Sequence, residues 1–167
     1  MATVTLQGNT INTNGGLPAV GEKAPDFTLV DKDLSDVHLS NYAGKKKILS
    51  IVPSLDTPIC GISTKKFNDF AAENEGVAVL VISADLPFAM SRFCTAESAE
   101  SVQSLSMMRG KQFAEDYGVL LQDGPLAGIT ARAVVVLDQD DQVVYTELVP
   151  EIAEEPNYEQ AIAALGS

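Results

Sequence analysis

The stretch Val77-Ala78-Val79-Leu80-Val81-Ile82-Ser83 is the most continuous apolar run of the chain. A strand that is apolar at successive positions has no face to turn toward water, so it belongs inside a sheet covered on both sides. Covering both sides requires helices, and the neighbouring sequence supplies them. Ile48–Val52 reads as a second buried strand, and residues from about Cys60 to Asn74 as a helix ended by Gly76. In that helix Ile62, Phe67, Phe70 and Ala71 fall roughly on one face. Pro87 to about Thr95 predicts a further helix, Val102–Leu105 a short strand, and Lys111–Tyr117 a helix closed by Gly118. Ala133–Leu137 and Gln142–Leu148 flank Asp138-Gln139-Asp140-Asp141 as a hairpin, and Asn157–Leu165 after Pro156 is a last helix. Upstream, Thr3–Leu6 and Thr10–Thr13 around Gly8-Asn9 form a small hairpin, and Phe27–Val30 and Val37–Leu39 flank a polar turn. Strands alternating with helices, then a late antiparallel hairpin, predict an α/β fold. The expected sheet is mixed and central, flanked by helices, with an N-terminal β-hairpin. With no internal repeat or linker, the expectation is one domain over residues 1–167.

The apolar fraction of 46% argues against disorder, and the net charge of −12 argues against nucleic acid, whose phosphates need clustered Lys and Arg. The same charge disfavours an anionic membrane surface. No segment approaches the roughly 20 apolar residues that span a bilayer. Met1 to Gly8 has neither a basic region nor an apolar core of a signal peptide. The expectation is a soluble, cytoplasmic chain. There a structural disulfide is improbable, so two cysteines are either buried inert thiols or a catalytic redox pair.

Cys60 closes the segment Pro53-Ser54-Leu55-Asp56-Thr57-Pro58-Ile59-Cys60, between the strand Ile48–Val52 and the helix that follows. Strand, proline-bent loop, cysteine and helix come in that order. The thiol therefore stands at a helix N-terminus, where unpaired N–H groups and the helix dipole favour an anion. Other chemistry is absent from the pattern. There is no Gly-x-Gly-x-x-Gly and no phosphate loop. With His38 alone and cysteines at 60 and 94, no zinc spacing exists, and no metal is expected. The Asp138–Asp141 turn lacks the glycine and distal glutamate of a calcium loop. His38 lies in a strand between Val37 and Leu39, a surface or core-edge position, so Cys60 has no evident general base and needs a positive neighbour.

Pro53-x-x-x-Thr57-x-x-Cys60 resembles the peroxidatic motif of the peroxiredoxins. Cys94, the stretch Ser83-Ala84-Asp85-Leu86-Pro87-Phe88-Ala89, the stretch Ala131 to Asp138 and Lys32-Asp33-Leu34-Ser35-Asp36-Val37 resemble the bacterial thiol peroxidase branch. The likeness runs from about Leu6 to the C-terminus. It implies a thioredoxin-like fold and a thiol-dependent peroxidase active in antioxidant defence, without a cofactor. By that resemblance Cys60 attacks hydrogen peroxide or an organic hydroperoxide and becomes a sulfenic acid. Cys94 resolves it to an intramolecular disulfide, which thioredoxin reduces. Thr57 offers its hydroxyl, Arg132 donates to sulfur and peroxide, and Pro53 shields the pocket. The family commonly forms homodimers through loops near this site. Apolar Leu55, Ile59 and Phe93 near the motif suit an organic hydroperoxide.

Ionisation alone does not explain such an enzyme. Lowering a cysteine pKa from about 8.5 to about 6 raises the thiolate fraction at about pH 7 roughly thirtyfold. Nucleophilicity falls with pKa by a Brønsted slope of about 0.4–0.5, which takes back roughly tenfold. Most of the acceleration must come from orienting the peroxide and stabilising the departing oxygen. Each residue also has a plainer role open to it. Thr57 could cap the helix, Arg132 could serve a structural ion pair, and Cys94 could fill core space. Lys65 and Lys66 read as a solvated face. Gly61 weakens the first helical turn by up to about 1 kcal/mol relative to alanine, which eases the unwinding that joining two helical cysteines requires. Two other functions stay open: a redox relay that reports oxidants to a partner, and a dithiol–disulfide oxidoreductase, the latter disfavoured by the lack of Cys-x-x-Cys.

Overall fold

The computed structural model describes residues 2–166. In chain order its strands and helices are β1 (Thr3–Leu6), β2 (Asn9–Asn12), β3 (Thr28–Val30), β4 (Asp36–His38), β5 (Lys46–Ile51), α1 (Pro58–Glu73), β6 (Val77–Ser83), α2 (Pro87–Ala96), β7 (Gln103–Ser106), α3 (Gln112–Asp116), β8 (Ala133–Leu137), β9 (Val143–Leu148) and α4 (Tyr158–Leu165). A short 3-10 turn, Leu39–Tyr42, follows β4 and was not legible in the periodicity.

The main sheet has seven strands in the order β4-β3-β7-β6-β5-β8-β9. The apolar run Val77–Ser83 is its middle strand. β5, β6 and β7 are parallel, and the remaining pairings are antiparallel, so the sheet is mixed as expected. The parallel trio is joined by α1 and α2, the helical crossovers that parallel pairing requires. Side chains alternate across it. Leu49, Ile51, Leu80 and Ile82 pack on one side with Phe113 of α3 and with Tyr117. Ile48, Val79 and Val81 pack on the other with Phe67 of α1, Met90 of α2 and Leu165 of α4. Both faces are thus covered. Among the described residues no helix is long and apolar enough to cross a membrane.

Three expectations need correction. The N-terminal hairpin pairs Leu6 with Asn9, so its turn is Gln7-Gly8, one residue earlier than expected; both have positive φ, 52° and 83°, as a tight hairpin turn requires. Helix α1 stops at Glu73, before Gly76, because the Asn74 side-chain amide donates to the Phe70 carbonyl at 2.9 Å and caps the end. Ile62 is 44% exposed, and the inward face of α1 is Cys60, Ser63, Thr64, Phe67, Asn68 and Ala71. Small and polar residues occupy the inward positions of its first turns, which the apolar pattern could not reveal.

Candidate active site

Strand β5 delivers the chain to the carboxyl end of the parallel trio, where open α/β sheets place their sites. Buried Pro53 turns it there into the loop that ends at Thr57, the N-cap residue of α1, with Pro58 at the first helical position. The first intrahelical bond runs from the Gly61 N–H to the Thr57 carbonyl at 3.0 Å, so Cys60 lies in the turn of unpaired N–H groups. Its side chain has no exposed surface.

Arg132 immediately precedes β8, and Ala133 pairs with Ile51, so the antiparallel strand starts where β5 ends. That register brings the guanidinium across to the cysteine: Arg132 Nη1 donates to Cys60 Sγ at 3.2 Å. Arg132 Nε donates to the Ile152 carbonyl at 2.9 Å, and the side chain is 3% exposed. Among the described residues it joins no direct ion pair, although its charge helps hold the Glu155 carboxyl below its ordinary value. The segment around Ile152 is braced by the N-terminal hairpin, since Thr5 N–H donates to Pro150 O and Ile152 N–H to Thr5 O. Glu151 completes the brace. Its carboxylate accepts from the Ala153 and Gly8 N–H groups and the Thr5 hydroxyl, and these hold it down at about 2.

Thr57 is exposed and makes no side-chain cap; its hydroxyl donates to the Ser54 carbonyl at 3.0 Å. Cys94 lies in α2, 9% exposed, and both cysteines are free thiols. Burial pushes the Cys94 thiol up, and the nearby Glu100 carboxylate pushes it further the same way. A cavity of about 590 Å³ borders Cys94, lined also by Ser91, Thr95, Asp31 and Glu100. The cysteine-bearing helices touch. A Cβ on Gly61 would lie 3.4 Å from the Phe93 ring, one residue before Cys94. His38 sits on the surface, sharing a hydrogen bond with the Thr28 hydroxyl at 3.1 Å, and Lys65 and Lys66 form exposed ion pairs with Glu97 and Glu155.

Sequence reasoning missed two supports of this site. One is the Ile152 carbonyl, which leaves no signal because any residue could supply it. The other is Asp85, which takes hydrogen bonds from Ser54, Leu55 and Ser83. Its signal was a polar Ser-x-Asp step at the carboxyl end of a fully buried strand.

Residues 19–162 match the model of the Redoxin family. The chain is 54% identical to a thiol peroxidase of Mycobacterium tuberculosis over 167 residues, which is the whole of both chains. It superposes on a peroxiredoxin-like protein from Aquifex aeolicus with TM-score 0.91 at 43% identity, covering 98% of this chain and 95% of that one. A thiol peroxidase from Chromobacterium violaceum gives 0.90 at 22% identity, with 98% and 95% covered, a likeness of fold. The sheet, its flanking helices and the N-terminal hairpin form the thioredoxin-like arrangement that the motif implied.

Proposed function

The chain belongs to the redoxin family, among the peroxiredoxins of the thiol peroxidase kind, and from that premise we propose that it reduces peroxides with Cys60 as the attacking sulfur. The observation that most supports this reading is the Arg132 hydrogen bond to the fully buried Cys60 sulfur. A guanidinium proton needs an acceptor, and a thiolate is the form of sulfur that accepts well.

The thiolate attacks the near oxygen of hydrogen peroxide or an organic hydroperoxide. An S–O bond forms and the O–O bond breaks. The electron pair leaves on the far oxygen, which takes up a proton as water or alcohol. Cys60 is oxidised to the sulfenic acid. Thr57 has committed its proton to the Ser54 carbonyl, so its oxygen can only accept, and a peroxide O–H is the donor it would orient. Arg132 has further N–H donors beyond those on Sγ and Ile152, and these stabilise charge on the departing oxygen. Buried Pro53 keeps water from the sulfur.

Cys94 then attacks the sulfenic sulfur, the S–O bond breaks, and water leaves with the thiol proton as the disulfide forms. Burial and Glu100 keep Cys94 in its neutral, unreactive form while Cys60 meets the oxidant, which divides the labour between the two thiols. A thioredoxin-type dithiol reduces the disulfide and is itself oxidised. The cavity beside Cys94 offers that reductant an approach. The working unit is one domain of residues 1–167, cytoplasmic, and paired as a homodimer through exposed Ile62, Leu86 and Phe88 on the cysteine-bearing elements.

The test couples peroxide to NADPH through thioredoxin and its reductase. Wild type should turn over, Cys60→Ser should consume no peroxide, and Cys94→Ser should consume one equivalent and stall. Wild type that takes a single equivalent and never cycles would instead mark a redox relay.

A further inference from the structure

The carboxylate of Asp85 stands between the two cysteine-bearing elements. Ser54 Oγ donates to its Oδ1 at 2.8 Å, while the Leu55 N–H and Ser83 Oγ each donate to Oδ2 at 2.7 Å. The Asp85 N–H returns to Ser83 Oγ at 3.1 Å, and the Ser106 hydroxyl donates to the Asp85 carbonyl. Two of the carboxylate's donors therefore come from the loop ahead of α1, and the rest of the network ties Asp85 to the ends of β6 and β7. From Ser54 the connection continues: its Oγ accepts the Asp56 N–H at 3.1 Å, and its carbonyl holds the Thr57 hydroxyl at 3.0 Å. On the other side Pro87 opens α2, the helix that bears Cys94.

We propose that Asp85 is a positioning residue of the peroxidase site, a carboxylate strut that fixes the Pro53–Thr57 loop against the start of the Cys94 helix. It rests on the peroxidase reading above, and it assigns the strut two opposed effects on the cycle. Through Ser54 it aims the Thr57 hydroxyl, so it speeds the step in which Cys60 takes an oxygen from peroxide. By pinning the loop it also resists the unwinding that lets Cys60 reach Cys94, so it slows disulfide formation. Charge-assisted hydrogen bonds are about twice as strong as neutral ones, which suits a strut that must hold through the first step and yield in the second. A residue that served folding alone would support both steps together.

The two steps are separable by rapid quench. Reduced protein is mixed with hydrogen peroxide, sulfenic acid is trapped with dimedone, and disulfide is followed by intact mass. Asp85→Ala should slow sulfenic acid formation about tenfold, short of the roughly 10²-fold that a misplacement of about 1 Å can bring. The same variant should close the disulfide faster from each sulfenic acid formed. Asp85→Asn keeps an oxygen for Leu55 and Ser83 and an amide for Ser54 Oγ, so it should restore most of the wild-type split. Ser54→Ala, which removes one donor to the carboxylate and the acceptor of the Asp56 N–H but leaves Leu55 and Ser83 on Asp85, should shift both steps in the directions of Asp85→Ala by less. Equal slowing of both steps, or no change in either, overturns the strut, as does faster sulfenic acid formation in Asp85→Ala. Wild type that forms neither species in this assay overturns the peroxidase reading and the strut with it.

Discussion

A guanidinium almost wholly removed from water, with no carboxylate in direct contact among the described residues and only Glu155 within reach of its charge, is costly to bury unless it serves an anion. Arg132 donates to the Cys60 sulfur, and in the proposed chemistry it serves the attacking thiolate and the far oxygen that departs as the O–O bond breaks. Arg132→Ala should lower the second-order rate of Cys60 oxidation by about 10²-fold or more, the range for loss of one preorganised donor. Arg132→Lys should recover only part, since an ammonium lacks the planar fork that reaches both Ile152 and sulfur. Competition kinetics against a second peroxidase would measure this; an unchanged rate in the alanine variant would remove Arg132 from the mechanism. Cys94 makes a pH prediction of definite sign. Its thiol is pushed up by burial and then by Glu100, so disulfide closure should quicken as pH rises above neutral and Cys94 ionises. Glu100→Gln removes one of the two upward pushes, and the profile of closure rate should move to lower pH. A profile that stayed in place would show that Cys94 ionisation does not govern closure.

At the scale of elements, the two helices that carry the cysteines are in contact at the turn that the proposed disulfide would have to open. Gly61 sits in the first turn of α1 with room for a methyl group only in van der Waals contact with Phe93 of α2. Gly61→Ala should stabilise that turn by up to about 1 kcal/mol and correspondingly slow disulfide closure, raising the yield of sulfinic acid at high peroxide. Equal closure rates and equal sulfinic yields, read by quench and mass, would exclude this role. The same helix shows what the sequence could and could not disclose. Its strand–loop–helix position was readable because Pro58 and the apolar strand bracket it. Of its inward face, Phe67, Phe70 and Ala71 were readable, and the positions in its first turns were not. Cys60, Ser63 and Thr64 are buried there, and Ser63 donates its hydroxyl to the Cys60 carbonyl at 3.1 Å, because the start of the helix faces a site. Ile62 falls outside that face and stays in water.

For the whole molecule, the sheet acts as a collector of distant residues at the carboxyl end of its parallel strands. Its central strand was legible because burial on two faces leaves an unbroken apolar run. Pro53, Thr57 and Cys60 were singled out by a motif, and Cys94 and Arg132 by flanking stretches that resemble the same family; of these the structure joins Arg132 to Cys60 by a hydrogen bond. The contacts themselves were not legible, because Arg132 and Cys60 are separated by 72 positions, Asp85 and Ser54 by 31, and only the strand register brings them together. The N-terminal hairpin was readable only as a small hairpin, and the structure shows it bracing the segment whose carbonyl holds Arg132. The proposed cycle passes through one bond between two sulfurs. Intact mass of the reduced protein, taken before and after one equivalent of peroxide and followed by peptide mapping, tests it most directly. A loss of two hydrogens located in a Cys60–Cys94 linkage is the expected result; a stable gain of oxygen with Cys94 still free, or a bond between chains, would contradict it.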